Sequence, residues 1–468
     1  MTPKKIQLIA VVTALTLLGG CADKASPEQV QSSPEEISAS VSRDTPVEFA
    51  SFTTKNGVQI HFSDIGSDTE AWNLPVVSVA PRYYTEEDAR RLAQALFGSN
   101  AVYYEHRMRG VRPMTKSVIT DKIALFERLL EDDTLEKLYG NQPEVIDRTM
   151  ETMEGFIERE QEAYDTAPET EDRPETDWTF HPEEYYSELT DFKPEGNESI
   201  EVDTVYNTIP YTFSVSNRRN DFYLNSLFAY WSSGYISATN VEDNLFRYEY
   251  SYDIYPTDEQ IAAAKAKAEE LLQAFDIGEW EIDRCSVKQL AMNPDVPRYT
   301  IVIRAVPIIN GTAVVRQTQL NALRYGAENG LNWYYTDASF EFGVDNTLYM
   351  LELQSPMTIL GTEETEVISL EEAEKALQAG LEEKNVSYIF ATAGISSKDL
   401  YIYQLKTGYT RVGDASGNFR YVPSLTAMAA LEDKTVYGEP LDLSDPNALY
   451  ALITISLIDG SVIPTINS

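Results

Sequence analysis

Histidine and cysteine are scarce in this chain, numbering three and two among 468 residues. The histidines, His61, His106 and His181, lie in unrelated contexts. None sits at metal-ligand spacing, and no H-E-x-x-H occurs. A Ser-His-Asp triad would have to take its base from one of these three, and no G-x-S-x-G elbow accompanies them. A P-loop and a dinucleotide fingerprint are also missing. No catalytic residue, cofactor or metal is therefore expected, and the chain reads as a non-enzyme. Positive charge is short too, with 37 Lys and Arg against 75 Asp and Glu, a formal charge of -38. Such a field repels phosphate backbones and anionic headgroups, which disfavours nucleic acid and peripheral membrane binding. With so many acids, neighbours such as Glu86-Glu87 and Asp132-Asp133 arise by chance and do not mark a carboxylate pair.

Long apolar runs are confined to the start. "MTPKKIQLIAVVTALTLLGGC" has a basic beginning at Lys4 and Lys5, an apolar stretch from Ile6 to Leu18, and small residues before Cys21. The apolar stretch is too short for a comfortable bilayer span, so it reads as a signal peptide. Leu18-Gly19-Gly20-Cys21 resembles a bacterial lipobox. The resemblance implies a diacylglycerol thioether on Cys21, which becomes the mature N-terminus; its two acyl chains give stable anchoring where one would not. The expected location is the extracytoplasmic face of the cell membrane. Cys285 remains as the second cysteine, so no intrachain disulfide is expected; in "EIDRCSVKQ" it reads as a small buried residue. An exported protein without disulfides suits a Gram-positive surface, with an outer-membrane or periplasmic setting as the alternative.

The expected segments are a signal peptide (1–20), a disordered tether (21–46), an N-terminal α+β domain with an acidic helical pair (47–250), a middle α+β unit (251–362) and a C-terminal domain (363–468). The tether is rich in Ser, Pro, Glu and Gln and would reach roughly 25–30 Å. Asn56-Gly57 lies between two alternating runs and predicts a hairpin with Val58, Ile60 and Phe62 on one face and His61 on the other. Thr85 and Gly98 bracket a helix. Ile119, Ile123, Phe126 and Leu130 make one helical stripe, and Ile146, Met150, Met153 and Ile157 another; this pair is expected to lie on the N-terminal sheet. "DTAPETEDRPETDWTFHPEE" loses periodicity at three prolines and reads as a surface loop. Thr257 with Gln260, and Ser369 with Glu372, have capping-box spacing ahead of apolar stripes. Each helix is followed by alternating strands, the pattern of an α+β fold with antiparallel sheets covered by helices. One hairpin is expected at Asp345-Asn346 and another at Asp459-Gly460, where Asp459 is read as a turn residue.

"SLEEAEKAL" and "ALITISLIDGSVI" resemble the framework of a PepSY-like domain, a small helix-plus-sheet unit of exported and membrane-bound proteins. The match covers the last hundred or so residues. With the lipobox, "VVSVAPRYYTEEDARRLAQALFG" and the acidic helical pair, the whole chain resembles uncharacterised lipoproteins of Gram-positive, clostridia-like bacteria. Its architecture is also similar to that of accessory proteins that regulate cell-wall sensor kinases. Those carry a transmembrane helix where this chain has a lipobox. The resemblances imply no catalytic residues; the residue they carry over is Cys21.

Two further stretches carry polar or aromatic groups that could hold a ligand. "DIGSDTE" (Asp64 to Glu70) has oxygen ligands at loop spacing for calcium but lacks the EF-hand pattern. Aromatic residues concentrate in "AYWSSGY" and "NWYYTD", where they would stack on sugars or line an interface, or else simply fill half-buried strands. The expected function is binding or regulation of a cell-surface protein partner through sheet faces or edges, with the membrane engaged through the lipid on Cys21. The alternatives are a solute-binding lipoprotein of a transporter and a carboxylate-dependent hydrolase of wall polymers.

Overall fold

The computed structural model describes residues 51–55, 57–68, 72–106, 115–131, 143–170, 173–182, 196–207, 209–217, 221–222, 229–231, 234–240, 255–290, 298–316, 331–333, 337–354, 356–383, 399–413, 419–431 and 449–463. The expected signal peptide, Cys21 and the tether lie outside the described residues. Every element below belongs to the unit Pro46–Ser468.

Local signals form the elements they predict. Gly57 takes a φ of +78°, and Phe52–Thr53 turns back on Gln59–Asp68 with Phe52 opposite Ile60. Val58 and Ile60 are buried, and Phe62 packs against the same core. Five helices form among the described residues. Helix α1 (Glu86–Phe97) starts at a reciprocal capping box between Thr85 and Asp88 and stops at Gly98, whose φ is +83°. Helices α2 (Lys116–Glu131) and α3 (Pro143–Thr166) are the acidic pair. They pack chiefly on each other rather than along the N-terminal sheet, with the rings of Phe126 and Phe156 5.7 Å apart. Helix α4 (Asp258–Phe275) has the Thr257–Gln260 capping box and buries Ala264, Ala268, Leu271 and Phe275. Helix α5 (Leu370–Glu383) is capped by Ser369, whose backbone N–H donates to Glu372 Oε2 at 2.9 Å.

Two large, mostly antiparallel sheets make the fold α+β. Among the described residues one has ten strands, ordered mainly as Trp280–Leu290, Arg298–Ile309, Asp337–Phe342, Leu348–Gln354, Gly234–Asn240, Ile209–Asn217, Glu198–Tyr206 and Tyr103–Glu105. Leu92 and Phe97 of α1 and Leu271 and Phe275 of α4 share a core with Phe213, Ile301 and Phe340 of this sheet. The guanidinium of Arg91 in α1 donates to the carbonyl of Phe275, satisfying an orphan acceptor at the end of α4. The hairpin at Asp345-Asn346 forms, with Asn346 at φ +63° and Asp345 Oδ1 accepting from the Thr347 N–H.

The other sheet has eight strands among the described residues, ordered mainly as Phe52–Thr53, Gln59–Asp68, Asp399–Gly413, Phe419–Leu431, Tyr450–Ser456 and Val462–Ile463. Val76–Pro81 also pairs with Phe419–Leu431, and Met357–Glu363 pairs with Val76–Pro81. Gln59–Asp68 runs parallel to Asp399–Gly413, with Ile60 opposite Leu400. Ala373, Leu377 and Leu381 of α5 meet Val58, Ile60, Leu400, Ile402 and Ile453 in one core. Strands from the expected segments 47–250, 251–362 and 363–468 therefore share this sheet, and its pairing crosses both expected boundaries. A third core, including Val77, Val79, Val306, Tyr409 and Tyr421, joins the two sheets.

The loop after α3 is a correction. Arg173 and Trp178 within it are buried. The Thr176 N–H donates to the Tyr103 carbonyl at 3.0 Å, and the Glu105 N–H donates to the Pro174 carbonyl at 3.1 Å. These bonds lay the segment along the edge strand Tyr103–Glu105, where Trp178 meets Tyr103 edge-on at 5.0 Å. The prolines end the helix, yet the chain beyond them returns to the core.

Candidate functional site

Buried charge is where perturbed chemistry would concentrate. Asp203, on Glu198–Tyr206, is buried, and three groups converge on it. Arg173 Nη1 donates to Oδ2 at 2.6 Å, and the Thr212 hydroxyl donates to Oδ1 at 2.8 Å. His106 Nδ1 lies 2.9 Å from Oδ1. Burial alone would raise the Asp203 pKa; the hydrogen bonds from His106 and Thr212, with the His106 charge and Arg173, outweigh it and hold the carboxyl below its ordinary value. The hydrogen bond to Asp203 raises the His106 pKa above its ordinary value, against the effect of burial. His106 Nε2 faces Glu201 Oε2 at 3.6 Å. Two carboxylates beside the imidazole favour its protonated form, which makes it a poorer general base. The cluster fixes the buried loop onto the sheet.

The other charged groups behave alike. Arg316 forms a two-pronged pair with Asp283, both contacts 2.7 Å, and reaches Asp337 Oδ2 at 2.7 Å. Asp283 is the extra residue of a β-bulge between Ile282 and Arg284. Lys122, which interrupts the stripe of α2, is buried with its ammonium 2.8 Å from Glu160 of α3. No group of three or more His, Cys, Asp or Glu side chains among the described residues is arranged to hold a metal ion. A cleft of about 610 Å³ at the end of α4 is walled by Leu272, Trp280, Ile282 and Ile308. Lys265, Glu269 and Glu279 also line it, with no paired acid and base among them.

The residues singled out by sequence distribute as follows. His61 is on the outer face, 2.9 Å from Asp399 and stacked on Tyr401 at 4.6 Å. His181 is exposed on a two-residue strand. Cys285 is half-buried opposite Ile303 and packs against the core of the ten-stranded sheet. Asp64 to Asp68 complete a β-strand rather than a loop, and Thr69 and Glu70 lie outside the described residues. The aromatic segments come together: Leu331–Trp333 pairs in parallel with Ala229–Trp231, placing Trp333 opposite Trp231. Asp459 turns the chain. Its Oδ1 accepts from the Ser461 N–H at 3.0 Å and the Ser461 hydroxyl at 2.7 Å, and Gly460 takes φ +71°. The Ser461 bond, against burial, lowers the Asp459 pKa.

The strand Met357–Glu363 has no counterpart among the residues that the sequence singles out. It pairs with Val76–Pro81 on one side and with nothing on the other among the described residues. Ile359 lies opposite Val79, so it continues the Val77–Val79 row of the third core, yet it is 49% exposed. Leu360, the extra residue of a bulge between Ile359 and Gly361, is 68% exposed, more than any other large hydrophobic described. Open edges are ordinarily guarded by charge, short length, a bulge or a covering element, and the bulge at Leu360 is the guard present on this strand. The edge strand Trp280–Leu290 carries Glu281, Asp283, Arg284 and Lys288, and Gln59–Asp68, unpaired on its outer side beyond Ile60 among the described residues, carries Asp64 and Asp68. Met357–Glu363 has no charge before its last residue.

No family model matches the chain, and no curated protein matches it. Among solved structures it is similar to an uncharacterized protein from Eubacterium rectale ATCC 33656, at 11% identity and a TM-score of 0.32, over 58% of this chain and 74% of that one. No helix among the described residues is long and apolar enough to cross a membrane.

Proposed function

We propose that this is a lipid-anchored, extracytoplasmic protein that binds a protein partner at the cell surface and catalyses no reaction. The observation that carries the reading is the edge at Met357–Glu363, unpaired on one side among the described residues, where Ile359 and Leu360 are left in solvent. An unpaired strand with exposed aliphatic side chains is a template for a strand from another chain. The lipobox motif at Cys21 supports the anchor, and residues 21–46 supply the tether. In this reading residues 363–468 are a PepSY-like unit whose sheet the N-terminal hairpin extends. The solute-binding alternative would call for two doubly wound lobes, and the mostly antiparallel pairing of both sheets does not favour it.

The test is photocrosslinking on the native membrane from a benzoylphenylalanine placed at 360, with Tyr164 on α3 as the exposed control position. One discrete protein adduct from position 360, missing from position 164 and diminished by Cys21→Ala, supports the reading. Identical adducts from both positions, or none from 360, refutes it.

A further inference from the structure

We infer that the segment received at Met357–Glu363 is an extended chain whose apolar residues are followed or preceded by lysine or arginine; the inference rests on the partner-binding reading above. The strand runs from Met357 through Thr358, Ile359, Leu360, Gly361 and Thr362, then meets Glu363, Glu364 and Glu366, all exposed. Its two ends differ in character. The first part offers backbone unpaired on one side among the described residues, and aliphatic surface. The last part offers three carboxylates within four residues, held in place because the Ile368 N–H donates to the Leu457 carbonyl at 2.8 Å and Ser369 caps α5.

Charge also selects among occupants. A second copy pairing antiparallel about Leu360 would bring apolar residues together. It would also set two chains of formal charge -38 edge to edge, with no basic residue in either strand to meet Glu363, Glu364 and Glu366. A segment of this same chain would come from the same acidic composition. A basic–apolar strand from another protein gains backbone hydrogen bonds, covers Ile359 and Leu360, and places its cations against the three glutamates. The bulge sets Leu360 outside the alternation of the strand, so its side chain stands free for an incoming chain to cover.

The experiment uses the mature lipidated chain in detergent and three fluorescent peptides of one apolar, β-branched sequence. One carries two lysines at an end, one two glutamates, and one a central proline. The lysine peptide is expected to bind about tenfold tighter than the glutamate peptide at low salt, with the gap closing at high salt. The proline peptide should not bind, because proline removes a ladder donor. Leu360→Lys should abolish lysine-peptide binding, and E363K/E364K/E366K should invert the preference. Equal binding of the two charged peptides overturns the inference while leaving the partner reading intact. So does failure of every peptide while position 360 still crosslinks to a partner. A dimer of the free protein that Leu360→Lys dissociates overturns it in favour of a second copy.

Discussion

Arg173 and Asp203 meet at 2.6 Å with both side chains out of solvent, although one belongs to a proline-rich loop and the other to the middle of a sheet strand. The pair ties the segment after α3 to the ten-stranded sheet. Arg173→Met leaves the carboxylate of Asp203 buried without its guanidinium and should cost about 3–5 kcal/mol. Denaturant unfolding measures it, and a loss under about 1 kcal/mol would show that the loop is not held this way.

His106 gives the same cluster a pH signature. Its pKa is raised in the folded protein, so its contribution is fully present below the unfolded value of about 6.5 and is lost as pH rises through the folded value. Asp203 has the opposite sign: its pKa is lowered, so its contribution is present above about 3.9 and is lost as pH falls through the folded value. Compared with wild type, His106→Gln should therefore lose most stability near about pH 5 to 6 and least at about pH 9. A stability difference that does not change with pH would contradict the assignment of His106 as a bound cation.

The hairpin after Ser456 supplies a backbone test. Gly460 sits at φ +71°, and a Cβ there would stand 3.1 Å from Ala376 Cβ on α5. Gly460→Ala should cost about 1–2 kcal/mol from the left-handed conformation alone. Asp459→Asn keeps an acceptor for the Ser461 N–H and hydroxyl and should cost less. Thermal unfolding of the two variants gives the order, and a larger loss for Asp459→Asn would show that the Asp459 carboxylate, more than the left-handed Gly460, holds the turn.

Much of the fold was legible because its signals are local. The capping boxes at Thr257 and Ser369, the bracket of Thr85 and Gly98, and the turn at Asn346 each act within a few residues of themselves. Pairing is different in kind. His61 reaches Asp399 across 338 residues, along a parallel strand pair whose two members carry no mark of each other. That distance is why three expected segments turn out to share one sheet. Lys122 and Arg173 were hidden for a related reason: a charge in the sequence reads as solvent-facing until its partner, Glu160 or Asp203, is known. At Asp459-Gly460 the turn was legible but its length was not. The Gly460 N–H donates to the Ser456 carbonyl, so the loop spans Leu457 to Gly460 rather than the Asp-Gly pair alone. The open edge left no signal, since Met-Thr-Ile-Leu reads the same whether a strand is inside a sheet or at its border.

For the anchor, Cys21→Ala should release the protein from membranes or leave an unprocessed precursor, as fractionation and mass of the mature chain would report. Unchanged membrane retention with normal processing would contradict lipidation at Cys21.

Hydrogen exchange at Met357–Glu363 tests the central claim most directly, comparing the purified mature protein with the same protein on its native membrane. Strand addition predicts fast exchange of the outward-facing amides in the purified protein and slowed exchange on the membrane, with the slowing removed by Leu360→Lys. Equal rates in both settings, or protection already complete in the purified protein, would contradict it.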